Sequence, residues 1–146
     1  MSDLTISQAL KKKSRLLKEY KDILSLIIRE NSKPNDNPRF YNITDLLKQA
    51  ESKMEELVNL KTSIHKASEP MRDKIFRMSE LKSFLGQFNS LDVFQGKRAD
   101  GYHNTERLEY NVHINQVEKD KLIKEYQNKI NDIQDELDTF NATTKI

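Results

Sequence analysis

The chain has 146 residues, of which 33% are charged and only 36% hydrophobic, with three Gly, three Pro, no Trp and no Cys. That length fits one domain, and the composition is that of long solvent-exposed helices rather than a compact α/β enzyme. The formal charge of +2, from 25 basic and 23 acidic residues, excludes a global field for nucleic acid or a membrane surface, and the lack of Cys excludes disulfides, thiol nucleophiles and thiolate metal sites.

The opening Met1 to Thr5 runs straight into a charged helical pattern, without the apolar core and small-residue cleavage site of a secretory leader. The longest apolar patch, Ile23 to Ile28, is far short of the roughly 20 residues that span a bilayer as a helix. A cytoplasmic chain without a transmembrane segment is the expectation.

Ile6, Leu10, Leu17, Tyr20, Leu24 and Ile27 recur at alternating four- and three-residue steps with Lys13 as the one polar seam position, which predicts a first helix over about 5–31. Thr5 and Gln8 supply a capping box, and the prolines at 34 and 38 end the pattern. A second helix over 43–67 carries Leu47, Ala50, Met54, Leu57 and Ile64 on its seam, with Lys61 at the remaining position. Pro70 suits the first turn of a third helix over 70–88, marked by Met71, Ile75, Met78, Leu85 and Phe88. A fourth, over 115–140, is capped by Asn115 with Glu118 and has Ile123, Tyr126, Ile130, Ile133, Leu137 and Phe140 as its seam. The fold class is therefore mainly α: four amphipathic helices in antiparallel hairpins or a bundle, forming a single domain over 1–146.

Between the third and fourth helices the pattern changes. Residues 89–105 lose periodicity and collect Gly96, Gly101, Asp92, Asp100 and Asn104, the composition of a loop. Over 106–114, Leu108, Tyr110, Val112 and Ile114 alternate with Glu109, Asn111 and His113, a period of two that fits a half-buried strand. A lone strand leaves backbone donors and acceptors unpaired, so it must pair either with the same strand of a second copy or with the preceding loop folded back as a hairpin.

Two groups of residues are candidates for function. Lys97, Arg98, Tyr102, His103, Thr105, Glu106 and His113 gather cation, hydroxyl, imidazole and carboxylate outside any heptad pattern, in a loop long enough to be functional. Lys97 and Arg98 would supply charge to a small anionic or nucleotide-like ligand and Tyr102 a stacking surface; the plain alternative is a mobile polar loop. Lys11, Arg15 and Lys18 share a helical face that could meet phosphates or an anionic partner, but Asp22 lies four residues after Lys18 on that face and can withdraw its charge. A solvated face is the simpler reading there, and nucleic acid is not the expected partner. His103, His113 and Glu106 lack metal-ligand spacing, no nucleophile elbow or phosphate-cradling Gly loop is present, and neither a metal, a cofactor nor catalysis is expected.

The order of pieces resembles the septicolysin family of small helical bacterial proteins. The resemblance runs through Ile6-Ser7-Gln8-Ala9-Leu10, the second helix ending at Ile64, Arg72-Asp73 before an apolar helix, Thr105-Glu106 leading into the strand, and a last helix closing on Asn141 with Thr143-Thr144 and a terminal aliphatic residue. It implies a largely helical protein and, by the family's name, a cytolysin, although the chain offers no candidate pore-forming segment. The reading that results is a non-enzymatic, homo-oligomeric helical protein that binds a protein partner or a small anionic ligand at the loop and strand. A membrane-active, cytolysin-like protein is the alternative.

Overall fold

The computed structural model describes residues 3–99 and 106–146. In chain order it contains α1 (Ile6–Glu30), α2 (Ile43–Ala67), a 3-10 turn (Glu69–Met71), α3 (Arg72–Phe88), β1 (Gly96–Ala99), β2 (Arg107–Tyr110) and α4 (Gln116–Thr143). Four helices with a two-stranded hairpin before the last is the architecture that the sequence predicts. Contacts gather the chain into two compact units, Met1–Arg72 with Asp138–Ile146, and Asp73–Leu137.

Helix starts follow local chemistry. The Thr5 hydroxyl accepts from the Gln8 N–H at 3.3 Å while the Gln8 side-chain oxygen accepts from the Thr5 N–H at 3.0 Å, so the capping box forms. Asn42 accepts from the Asp45 N–H at 3.2 Å, and Asn115 from the Glu118 N–H at 2.9 Å, to start α2 and α4. Pro70 sits at the start of the 3-10 turn, where its missing N–H leaves no bond unmade.

In the first unit α1 and α2 form an antiparallel hairpin, recorded by ion pairs from Lys12 to Glu56 at 3.4 Å and from Lys53 to Glu19 at 2.8 Å. Its core is Ala9, Leu16, Leu57 and Leu60, with Leu17, Ile64 and Ile146 packed against them. The seam of α1 therefore runs through Ile6, Ala9 and Leu16 rather than Leu10 and Leu17, which are half-buried beside it. On α2 the correction is larger: Lys61, Leu47 and Met54 are exposed, and Leu60 takes the buried position assigned to Lys61. Lys13 is half-buried, as its place between Ala9 and Leu16 requires.

The far end of the chain closes this unit. The Ile6 N–H, an orphan donor of the first helical turn, donates to the Thr144 carbonyl at 2.8 Å, and the Ile146 N–H to the Leu4 carbonyl at 3.0 Å, so residues beside α1 pair antiparallel with the residues after α4. At the other end of α1, Glu30 is a charged residue only 8% exposed. Its carboxylate pairs with Lys33 and with Arg29, which hold it below the usual carboxylate range, and its carbonyl accepts from Arg39 at 3.2 Å.

In the second unit α3 and α4 run antiparallel. Lys74 pairs with Glu136, Phe84 and Phe88 meet Tyr126 edge-on with ring centroids 4.9 and 5.7 Å away, and Lys119 donates to the Asn89 and Leu91 carbonyls at 2.8 and 3.0 Å. Leu85, Ile130 and Leu137 are the buried apolar side chains on this part of the two helices. The Asn89, Ser90 and Leu91 N–H groups close the last turn of α3 on the Leu85, Gln87 and Phe88 carbonyls, and Lys119 ties the segment that follows α3 to α4.

The strand predicted over 106–114 is shorter, Arg107–Tyr110, and it pairs with β1, which the sequence reads as loop. The pairing is antiparallel, with Gly96 opposite Tyr110, Lys97 opposite Glu109, Arg98 opposite Leu108 and Ala99 opposite Arg107. Of the two solutions to the lone-strand problem, the chain takes the hairpin. β2 ends at Tyr110, the residue opposite Gly96, where β1 begins.

Candidate functional site

The site is built on the hairpin and on the segment leading into it. Asp92 accepts from the Phe94 N–H at 2.9 Å, an Asx turn that redirects the chain after α3. Gly96 then adopts φ of 128°, a conformation that favours a residue without Cβ, and this starts β1. Side chains alternate across a strand, so Arg98 falls on the face shared with Leu108 and Tyr110, while Lys97 falls on the other face opposite Glu109.

Leu91, Asp92, Phe94, Arg98 and Tyr110, together with Asn111, Val112, His113 and Ile114, line a pocket of about 400 Å³. The volume lies in the range of small-molecule sites, and the mixture of aromatic and aliphatic walls with a few polar groups is typical of them. Val112 and Ile114, the last two apolar members of the period-two run, serve here as half-buried wall rather than as strand.

Arg98 organises the walls. Its guanidinium lies over the Phe94 ring at 4.7 Å and over the Tyr110 ring at 4.4 Å, and those rings meet edge-on at 6.0 Å. A cation so placed is attracted by both ring quadrupoles. Asp92 binds the same guanidinium at 2.6 Å. This hydrogen bond, followed by that from the Phe94 N–H, holds the Asp92 carboxyl below its ordinary range, and Asp92 and Tyr110 hold Arg98 firmly protonated. Part of the charge expected to meet an anion is therefore already compensated, and the arginine doubles as a positioning group for two aromatic rings.

The candidates named from the sequence separate. Arg98 and His113 line the pocket. Lys97 is exposed on the opposite face of β1, so the two adjacent cations do not act together, and Glu106 is exposed just before β2. Tyr102, His103 and Thr105 lie outside the described residues. Asp92, Phe94 and Tyr110 are the site residues that sequence reasoning did not single out. Their signal was present, because Phe94, Gly96 and Arg98 continue the two-residue step of a strand, but a single aromatic between Val93 and Gln95 is a weak mark.

On α1, Lys18 pairs with Asp22 at 3.2 Å, as their spacing suggests. Arg15 borders a groove of about 220 Å³ with Lys12, Leu16, Glu19, Lys53 and Glu56, where the ion pairs to Glu56 and Glu19 leave little uncompensated charge. Lys11 is exposed. Among the described residues no cluster of His, Asp and Glu is placed to hold a metal ion, and no helix is long and apolar enough to cross a membrane.

The Asp92 pairing makes a pH prediction. Because the folded carboxyl titrates below its unfolded value, its contribution to the hairpin is fully present above about pH 4 and is lost as pH falls through the lower folded value. The Phe94 and Tyr110 ring resonances are expected to move as pH falls below about 4, and Asp92→Asn should remove that transition. A transition of the same midpoint in Asp92→Asn would assign it to another group.

No family model matches the chain, and no curated protein or solved structure is significantly similar to it.

Proposed function

We propose that this chain is a non-catalytic binding protein whose site is the hairpin pocket, and that it takes a small molecule with a flat apolar body and one anionic or hydrogen-bonding group. The observation that carries the reading is Arg98 lying over Phe94 and Tyr110 at the wall of a pocket of about 400 Å³. The aromatic rings and Val112 and Ile114 favour a flat apolar surface, as a nucleotide-like ring would offer. A guanidinium has five donors, of which Asp92 and Tyr110 engage a part, so the remaining N–H groups suit a single acceptor on the ligand. His113, in the same lining, offers a second polar contact.

The reading includes self-association, supported by apolar side chains left exposed along α2. The resemblance to the septicolysin family enters as a proposal of the same kind. A member of that family with a hairpin between its third and fourth helices would support it.

Native mass spectrometry of the protein purified from its own source tests the pocket. A retained small-molecule mass is expected, lost in Arg98→Ala while the helical circular dichroism is unchanged. Bare protein that also shows no saturable binding of anilinonaphthalene sulfonate, a ring system bearing one anion, would overturn the reading. Release of dye from liposomes by the same preparation would favour the membrane-active alternative instead.

A further inference from the structure

The hairpin of α1 and α2 leaves one side of α2 bare. Leu47, Met54 and Val58 are 46%, 40% and 50% exposed. With Glu51, Lys61 and His65 they form a track at steps of four, three, four, three and four residues. This is coiled-coil spacing, displaced by one residue, or about 100° around the helix, from the Ala50, Leu57 and Ile64 track that faces α1.

The order of steps reads the same in both directions. Two copies of α2 laid antiparallel therefore keep the track in register, with Met54 of each copy against Val58 of the other on either side of a two-fold axis. The same register sets Glu51 of each copy against Lys61 of the other. Among the described residues neither Glu51 nor Lys61 has an ion-pair partner, and antiparallel pairing gives each one an opposite charge. A parallel pairing would set Glu51 on Glu51 and Lys61 on Lys61. Charge and apolar pattern thus select the same arrangement, and it is isologous, the commonest symmetry of soluble oligomers.

We infer that this face of α2 is the interface between two copies of this chain. The inference rests on the self-association included in the proposed function and names its surface. Few apolar side chains from each copy take part, and the two copies of Glu55 flank the axis as a like-charge pair, so the dimer is weak and concentration-dependent.

Light scattering behind size-exclusion chromatography, over a hundredfold range of concentration, tests it on the full chain. Glu51→Lys and Lys61→Glu each set two like-charge pairs across the axis and are expected to weaken the dimer by about tenfold. Combining them restores opposite charges and the dimer, and Glu55→Gln tightens it. All three residues are exposed, so unchanged circular dichroism should accompany every variant. A monomer at every concentration would overturn both the inference and the self-association. A dimer indifferent to the charge reversals would leave self-association standing and overturn the antiparallel α2 interface, because a parallel pair exchanges one like-charge contact for another and some other interface does not feel them.

Discussion

Leu57→Ala is expected to destabilise the α1–α2 hairpin by about 2–4 kcal/mol, whereas Leu47→Ala on the same helix should change its stability by less than about 0.5 kcal/mol. Leu57 is 6% exposed and packs with Ala9, Leu16 and Leu60, so its truncation loses transfer free energy and leaves a cavity that a two-helix contact closes only in part. Leu47 is 46% exposed and lies outside that core, so its truncation removes less buried surface and leaves no enclosed cavity. Urea denaturation at a dilution that keeps the chain monomeric measures both, and a fall in midpoint without a change in slope marks a loss of stability alone. Equal losses for the two variants would mean that α2 presents a different face to α1.

That contrast also shows where the sequence stops being informative. Both leucines belong to one seam by spacing, and Ala50 and Leu57 do lie in it. However, α1 carries apolar residues in adjacent pairs, Ala9 with Leu10, Leu16 with Leu17, and Ile23 with Leu24, so two heptad tracks coexist one residue apart. Periodicity alone cannot choose between them; the partner helix does. On α2 the chosen track admits Lys53, whose aliphatic stem can lie along the seam while its ammonium reaches Glu19, and hydrophobicity scores such a position as surface. Helix extents were legible because caps act locally: Thr5 with Gln8, Asn42, Pro70 and Asn115 all mark the boundaries they occupy.

The candidate site was legible in its location and not in its composition. β1 reads Gly96-Lys97-Arg98-Ala99, without a β-branched or aromatic residue, and it becomes a strand through its ladder to β2. Once that register exists, alternation sends Lys97 and Arg98 to opposite faces, which no inspection of adjacent cations reveals. The pairing of Arg98 with Asp92 spans six residues through an Asx turn, and it converts an apparent anion receptor into a partly compensated group that also sets the attitude of two rings.

Gly96→Val is expected to open the hairpin and abolish retention of the ligand proposed for the pocket while leaving the helices intact. With φ at 128°, Gly96 occupies backbone space that a β-branched residue reaches only with strain on the order of 1–3 kcal/mol. Steric crowding is not the cause: a Cβ at this position would meet only the Phe94 ring, at an ordinary 3.7 Å. Gly96→Ala should therefore impair the hairpin as well, by backbone strain alone. Gly86→Ala is the control of opposite sign, since it lies inside α3 with nothing near the added methyl, and it should stabilise by roughly 0.5–1 kcal/mol. The readouts are the edge-on contact of Phe94 with Tyr110, followed by ring-to-ring nuclear Overhauser effects, and the retained mass in native spectra. Helical circular dichroism reports the rest. If Gly96→Val kept both the ring contact and the ligand, the conformation at Gly96 would not be what sets the two rings against Arg98.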